Sequence, residues 1–282
     1  MNYIYANGQL VPQAQACISV MDRGFMYGDG LFETILAVDG RPEYLDDHLQ
    51  RLQRSCKQFR IGFEVDARWT EIVHTVLEAN QFLDQPAVVK IIVTRGAVNA
   101  GLGLVNASCP TVIVMARPHS WPPKSRWLAG VRLALFPSQH TSPIAHHKSL
   151  NYLYYLLARQ YATDHQADEA ILLDPHENVL ECATANIFYR CATTIIKPPA
   201  EGPYLKGIIE QKALPIFRQA GFNICERYFG VQELLSAAEV FITNSVIRVM
   251  PVAQIAGKPC SRDHNAADLL RRKLNGRPFK EE

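Results

Sequence analysis

A lysine can bond covalently to a carbonyl carbon only as the neutral amine, so it needs burial or cationic neighbours that lower its pKa. Lys148 has that opportunity: it lies in Ser142-Pro-Ile-Ala-His-His-Lys-Ser-Leu-Asn-Tyr152, an irregular run of small and apolar residues ahead of a helical pattern. By itself such a lysine reads as a solvated surface residue, because lysines are rarely buried unpaired. Its meaning depends on an anion site and a carboxylate elsewhere in the chain. Glu181 is flanked by Leu180, Cys182, Ala183 and Ala185. These are poor surroundings for an ionised carboxylate without a cation. A protonated pyridine nitrogen would supply that cation and keep its ring an electron sink; an arginine partner or a solvent-facing position is the plainer alternative. Two element junctions could hold an anion on backbone N–H groups: the helix start Gly207-Ile208-Ile209 and the turn Thr243-Asn244-Ser245 after an apolar strand. Arg51 either remains a surface charge or reaches inward to a phosphate.

These residues must be positioned by a chain of 282 residues, 48% hydrophobic, with a formal net charge of +2. That composition describes a globular protein with a sizeable core and no broad cationic surface for nucleic acid or anionic lipid. The first residues carry neither a basic start nor an apolar run, and no stretch reaches the length of a membrane span, so the cytoplasm is the expected compartment. Seven scattered cysteines without a C-x-x-C pair read as reduced thiols. The adjacent His146 and His147 cannot share a helix face, and a structural metal is not expected.

Residues 116–126 hold three prolines between apolar runs and mark the expected boundary between a domain at 1–115 and another at 127–282. In the first, residues 43–62 place Leu45, Leu49, Leu52, Cys56 and Phe59 at helical spacing, and 88–94 and 111–115 read as buried strands, giving an α+β domain. In the second, strands are expected at 131–136, 169–173, 179–189, 194–197 and 240–243. Helices are expected for about 14 residues from near Leu150, at 207–221 with a kink at Pro215, and at 266–274. The second half is therefore β-rich with helices outside.

In order along the chain, these features resemble the class IV pyridoxal-phosphate enzymes: branched-chain aminotransferases, D-amino-acid aminotransferases and aminodeoxychorismate lyases. The resemblance runs from Asn7-Gly8 to Pro251-Val252. It includes Asp22-Arg-Gly-Phe-Met-Tyr-Gly-Asp-Gly-Leu-Phe-Glu33, His48-Leu-Gln-Arg-Leu52, Lys148-Ser-Leu-Asn-Tyr152, Asp168-Glu-Ala170, 181–188, Gly207-Ile208 and 244–251. It implies a D-amino-acid aminotransferase-like fold, with a small α+β domain and a larger β-rich domain, usually as a homodimer. It also implies pyridoxal 5'-phosphate as cofactor and a small amine-bearing substrate. Lys148 would be the Schiff-base lysine and proton shuttle, Glu181 the pyridinium partner, and Tyr152 the neighbour of the ring hydroxyl. Arg51, the amides of Ile208 and Ile209, and Asn244 with Ser245 would hold the phosphate, and Phe32 and Thr34 would line the substrate.

Within the family, Phe241-Ile-Thr-Asn-Ser-Val-Ile-Arg-Val-Met-Pro-Val252 resembles the lyases, whereas aminotransferases tend to carry Thr-Gly-Thr or Thr-Ser-Thr at this turn. The expected reaction is conversion of 4-amino-4-deoxychorismate to 4-aminobenzoate and pyruvate. A class IV aminotransferase of D- or branched-chain amino acids is the alternative, and a non-catalytic cofactor-binding dimer the third reading. Two departures stand out. Cys182 replaces the glycine common after the glutamate in aminotransferases. Where a second arginine often follows Arg95-Gly96, this chain has Asn99 and Ala100, leaving Arg95 or Arg248 to meet a substrate carboxylate.

Overall fold

The computed structural model describes residues 2–98, 101–104 and 109–274; Asn99 and Ala100, which stand in place of the second arginine, lie outside them. The chain forms two compact units, one of Met1–Ser120 with His147–Asn151, the other of Trp121–His146 with Tyr152–Glu282. Lys148 thus belongs with the N-terminal half, although it lies well beyond residue 120. The stretch 116–126, read from its prolines as a linker, holds the end of one strand and the start of a short helix.

The first unit contains β1 (Tyr3–Ala6), β2 (Gln9–Pro12), α1 (Arg23–Tyr27), β3 (Gly30–Val38), β4 (Arg41–Pro42), α2 (Leu45–Gln58), α3 (Arg68–Ala79), β5 (Ala87–Thr94) and β6 (Thr111–Pro118). Its six-stranded antiparallel sheet has the order β2-β1-β6-β5-β3-β4. The β-branched run of β5 pairs with β3 along eight residues, with Phe32 opposite Ile92 and Thr34 opposite Lys90. Helix α2 buries Leu45, Leu49, Leu52 and Cys56, the expected apolar stripe, against the sheet core of Leu31, Ile35, Val89 and Ile91. A second buried set on α2, His48, Arg51 and Ser55, is polar, so it escapes a search for apolar periodicity.

The second unit contains α4 (Lys124–Ala129), β7 (Val131–Leu135), α5 (Leu153–Asp164), β8 (Glu169–Leu173), β9 (Val179–Cys182), β10 (Asn186–Cys191) and β11 (Thr194–Lys197). After these come α6 (Ile208–Gln219), β12 (Asn223–Glu226), α7 (Val231–Ser236), β13 (Glu239–Asn244), β14 (Arg248–Ile255), β15 (Lys258–Pro259) and α8 (Asn265–Lys273). The strand order is β12-β11-β10-β13-β14-β7-β8-β9, with β15 on β14. The single strand expected at 179–189 is two. Cys182 and Ala185 close a tight turn, after which β9 pairs with β8 and β10 with β13. Continuous apolar character hid this break, because the turn residues Ala183 and Ala185 are themselves buried. Pro215 lies inside α6, which runs on to Gln219. Among the described residues no helix is long and apolar enough to cross a membrane, and no group of three or more His, Cys, Asp or Glu is placed to hold a metal.

Candidate active site

In the first unit Lys148 is held by its backbone. Phe32 N–H donates to the Lys148 carbonyl at 2.9 Å, and Leu150 N–H to the Gly30 carbonyl at 2.9 Å. The segment thereby adds a short antiparallel bridge, Leu31 to Ser149, to β3. Gly30 permits this approach: a Cβ there would stand 2.8 Å from Leu150 Cδ1 and 2.8 Å from the Val93 carbonyl oxygen. The Lys148 ammonium lies 4.7 Å from the Phe32 ring centroid, and the ammonium of Lys90, from β5, lies 4.5 Å from the same centroid. Burial lowers the Lys90 pKa and the Arg117 charge adds to this. Among the described residues Lys90 makes no hydrogen bond or ion pair.

Beneath these groups lies a buried cluster of charge. Glu33 of β3 accepts from Arg51 Nε at 2.8 Å and Nη2 at 2.6 Å, and its Oε2 lies 2.6 Å from His48 Nδ1. Burial would raise the Glu33 pKa, but the Arg51 and His48 charges outweigh it and bring the carboxyl to about 2. The His48 pKa is lowered, because burial exceeds the pull of Glu33. Arg51, expected on a phosphate, is thus oriented by a bidentate carboxylate. Ser55 Oγ lies 2.9 Å from His147 Nδ1, tying α2 to the residue before Lys148.

Arg95 is enclosed by acceptors of its own chain. Its side chain is fully buried, with Nε and Nη2 on Asp29 at 2.7 and 3.0 Å, Nη2 also on the Phe59 carbonyl at 2.8 Å, and Nη1 on the Arg60 carbonyl at 3.3 Å. The fork ties loop to loop. Thr34 is half-buried beside Lys90 in the β3–β5 register.

The second unit carries the remaining residues. Glu181, on edge strand β9, is 4% exposed. Tyr155 hydrogen-bonds to it, and burial together with Glu181 pushes the Tyr155 phenol up. Burial, then Glu181 and Glu169, pushes Tyr152 up to about 12. Both phenols are therefore neutral donors near neutral pH, stacked at 4.9 Å between centroids. The Tyr155 hydroxyl also lies 3.4 Å from Nε2 of buried His140, whose pKa burial lowers.

At the head of α6, Ile208 and Ile209 are first-turn residues whose amides have no acceptor within the helix. A Cβ on Gly207 would stand 1.9 Å from Asn186 Oδ1, so only glycine leaves this cradle open. Asn186 in turn donates to the Leu205 carbonyl at 2.7 Å. At the end of β13, Asn244 Oδ1 accepts from the amides of Val246 and Ile247 at 2.9 and 2.8 Å, and Nδ2 donates to the Thr184 carbonyl at 3.0 Å. Its side chain shapes the turn, which leaves the Ser245 hydroxyl and amide as what this turn offers an anion. Arg248 follows at φ 58°, with its guanidinium 4.7 Å from the Trp121 ring centroid.

The second unit offers an anion two backbone turns, one of them with the Ser245 hydroxyl, and holds a buried acid beside phenol donors; the first holds a lysine on a phenyl ring; each suits a part of a phosphorylated pyridine aldehyde. Residues 30–255 match the family described as amino-transferase class IV. The chain belongs to the class IV aminotransferase family. A Methanocaldococcus jannaschii protein, provisionally named a branched-chain-amino-acid aminotransferase, is 34% identical over 261 residues, covering 90% of this chain and 88% of its own. The aminodeoxychorismate lyase of Bacillus subtilis is 28% identical over 254 residues, covering 89% and 86%. A branched-chain amino acid aminotransferase from T.th., solved with pyridoxamine 5'-phosphate, superposes with a TM-score of 0.87 at 25% identity, covering 98% of this chain and 95% of that one.

As a class IV member the protein is a pyridoxal-phosphate-dependent enzyme with the family's mixed α and β fold. Lys90 and Tyr155 were not singled out from sequence, and Glu33, His48 and Asn186 entered only within longer motifs, without a role of their own. Four of them carried one usable signal: Glu33, Lys90, Asn186 and Tyr155 are polar residues set in apolar surroundings, where burial demands a partner.

Proposed function

We propose that this class IV enzyme is an aminodeoxychorismate lyase, splitting 4-amino-4-deoxychorismate into 4-aminobenzoate and pyruvate. The observation that carries the reading is Lys90. Each product has one carboxylate, so the substrate has two, and a half-buried ammonium on the same phenyl ring as Lys148 suits one of them. An apolar branched side chain would gain nothing from it. The turn Thr243-Asn244-Ser245, shaped by the Asn244 side chain, is the second support.

Pyridoxal phosphate supplies an electron sink for negative charge developing on the carbon beside the substrate nitrogen. In this reading Lys148, as the neutral amine, takes the proton from that carbon at Nζ. Glu181, hydrogen-bonded by Tyr155, would be the partner of the pyridine nitrogen, and Tyr152 the neighbour of the ring hydroxyl. Ile208, Ile209 and Ser245 hold the phosphate, with Arg51 aimed by Glu33. Lys90 binds a carboxylate. Apolar side chains left exposed on the first unit, including Val20 and Phe25, and on the second, including Leu153 and Leu157, support a homodimer.

The test is to supply 4-amino-4-deoxychorismate with no keto acid. The proposal expects many turnovers to equimolar pyruvate and 4-aminobenzoate, because no amino group is retained by the enzyme. An aminotransferase is the second reading, favoured by the identity to the Methanocaldococcus jannaschii protein. Rapid amino transfer from a branched-chain or D-amino acid to a keto acid, with no pyruvate from 4-amino-4-deoxychorismate, would establish that reading instead.

A further inference from the structure

Lys197 is the last residue of β11 and only 3% exposed, in a place where an unpaired ammonium would be costly. It is saturated. Its Nζ lies 2.9 Å from Glu210 Oε1, donates to the Tyr204 hydroxyl and the Pro198 carbonyl at 2.8 Å each, and lies 3.3 Å from Glu226 Oε2. The Tyr204 hydroxyl is 3.1 Å from the same Glu210 oxygen, and burial followed by Glu210 pushes that phenol up, so it stays a donor. The other Glu210 oxygen accepts from the Gly207 amide at 3.0 Å. Glu226 also takes the Ala200 amide at 3.0 Å, tying in the loop that leads to α6.

The geometry points to Lys197, Tyr204 and Glu210 as positioning residues that set the orientation and the charge of the phosphate-binding turn at Gly207, Ile208 and Ile209. Two physical effects lead there. Glu210 occupies the third position of α6 and fixes the Gly207 amide, which leaves the next two amides for a ligand. An acid so placed favours the helix but repels an incoming phosphate dianion. The buried Lys197 ammonium cancels that repulsion while Tyr204 locks the carboxylate in its rotamer. The cradle thereby keeps its rigid cap while the Glu210 charge beneath its amides is offset by an ammonium.

This inference rests on the reading of Gly207-Ile208-Ile209 as the phosphate site, and the experiment separates the two. Apo-protein is titrated with pyridoxal phosphate and, separately, with pyridoxal, which lacks the phosphate, and dissociation constants are read from fluorescence quenching. Lys197→Met should weaken pyridoxal phosphate binding on the order of tenfold or more, through the uncancelled Glu210 charge, and leave pyridoxal unchanged. Lys197→Met with Glu210→Gln removes both charges and should restore most of the loss. If Lys197→Met does not fold, Tyr204→Phe, which keeps the charge pair and loses one hydroxyl, should give a smaller loss confined to the phosphorylated compound. Equal losses for both compounds, or none, would overturn the positioning role while leaving the phosphate site standing. A wild-type protein that binds the two compounds equally would overturn the phosphate site itself, and this inference with it.

Discussion

Replacing Glu33 by Gln removes the anion that orients Arg51 and accepts from His48, and its cost should depend on pH in a calculable way. The Glu33 carboxyl falls from the usual 4.5 to about 2 in the folded protein. At 1.36 kcal/mol per pKa unit the charged form contributes about 3 kcal/mol of stability near neutrality. Because the folded pKa is the lower one, this contribution is complete above pH 4.5 and is lost as pH falls towards 2. Integration places about 2 kcal/mol of the loss between pH 6 and pH 3. Arg51, the larger of the two lowering influences on Glu33, carries most of the effect. The assay is urea unfolding of wild type and Glu33→Gln at several pH values. Trp121 and Trp127 are replaced by Phe so that Trp69, in the same unit as Glu33, reports alone. The stability gap should be widest at pH 6 to 7 and narrow by about 2 kcal/mol at pH 3. A gap that stays constant over that range would refute the assignment of Glu33 as a charged, Arg51-bound group.

Glu181→Gln should retain cofactor binding while turnover falls about a hundredfold or more, because a neutral amide cannot stabilise a protonated pyridine; a near wild-type rate would make Glu181 structural. Gly207→Ala would place a Cβ 1.9 Å from Asn186 Oδ1 and force Asn186 off the Leu205 carbonyl. The expected cost is about 1–3 kcal/mol in unfolding experiments together with weaker pyridoxal phosphate binding, both relieved by adding Asn186→Ala. Unchanged stability and affinity would show that the cradle is not tight.

Regular elements with a clear period were legible from sequence. Strands β5 and β11 and the apolar stripe of α2 follow directly from β-branched runs and from helical spacing. Lys148 and Glu181 were legible as candidates, from residue types in context. Hidden features were those whose partners lie far along the chain. The polar stripe of His48, Arg51 and Ser55 makes sense only once β3 supplies Glu33 and the 147–151 segment supplies His147. Arg95 looked like a spare cation because nothing local marks Asp29, Phe59 and Arg60 as its acceptors. Lys90 is hidden within its strand, since alternation alone does not say which lysine lacks an acid.

The return of His147–Asn151 to the first unit has a consequence for biosynthesis. When residue 120 has been made, the N-terminal unit is still short of the segment that bridges Leu31 and carries Lys148, and 31 more residues must be added before it is complete. At roughly 5–20 residues per second that is a wait of about 2–6 s. During this time the upper edge of β3 has no bridging strand, and an unpaired edge is open to pairing with other nascent chains. Only afterwards does translation reach Tyr152 and the rest of the second unit. Lys148 is therefore among the last residues of its own unit to be seated.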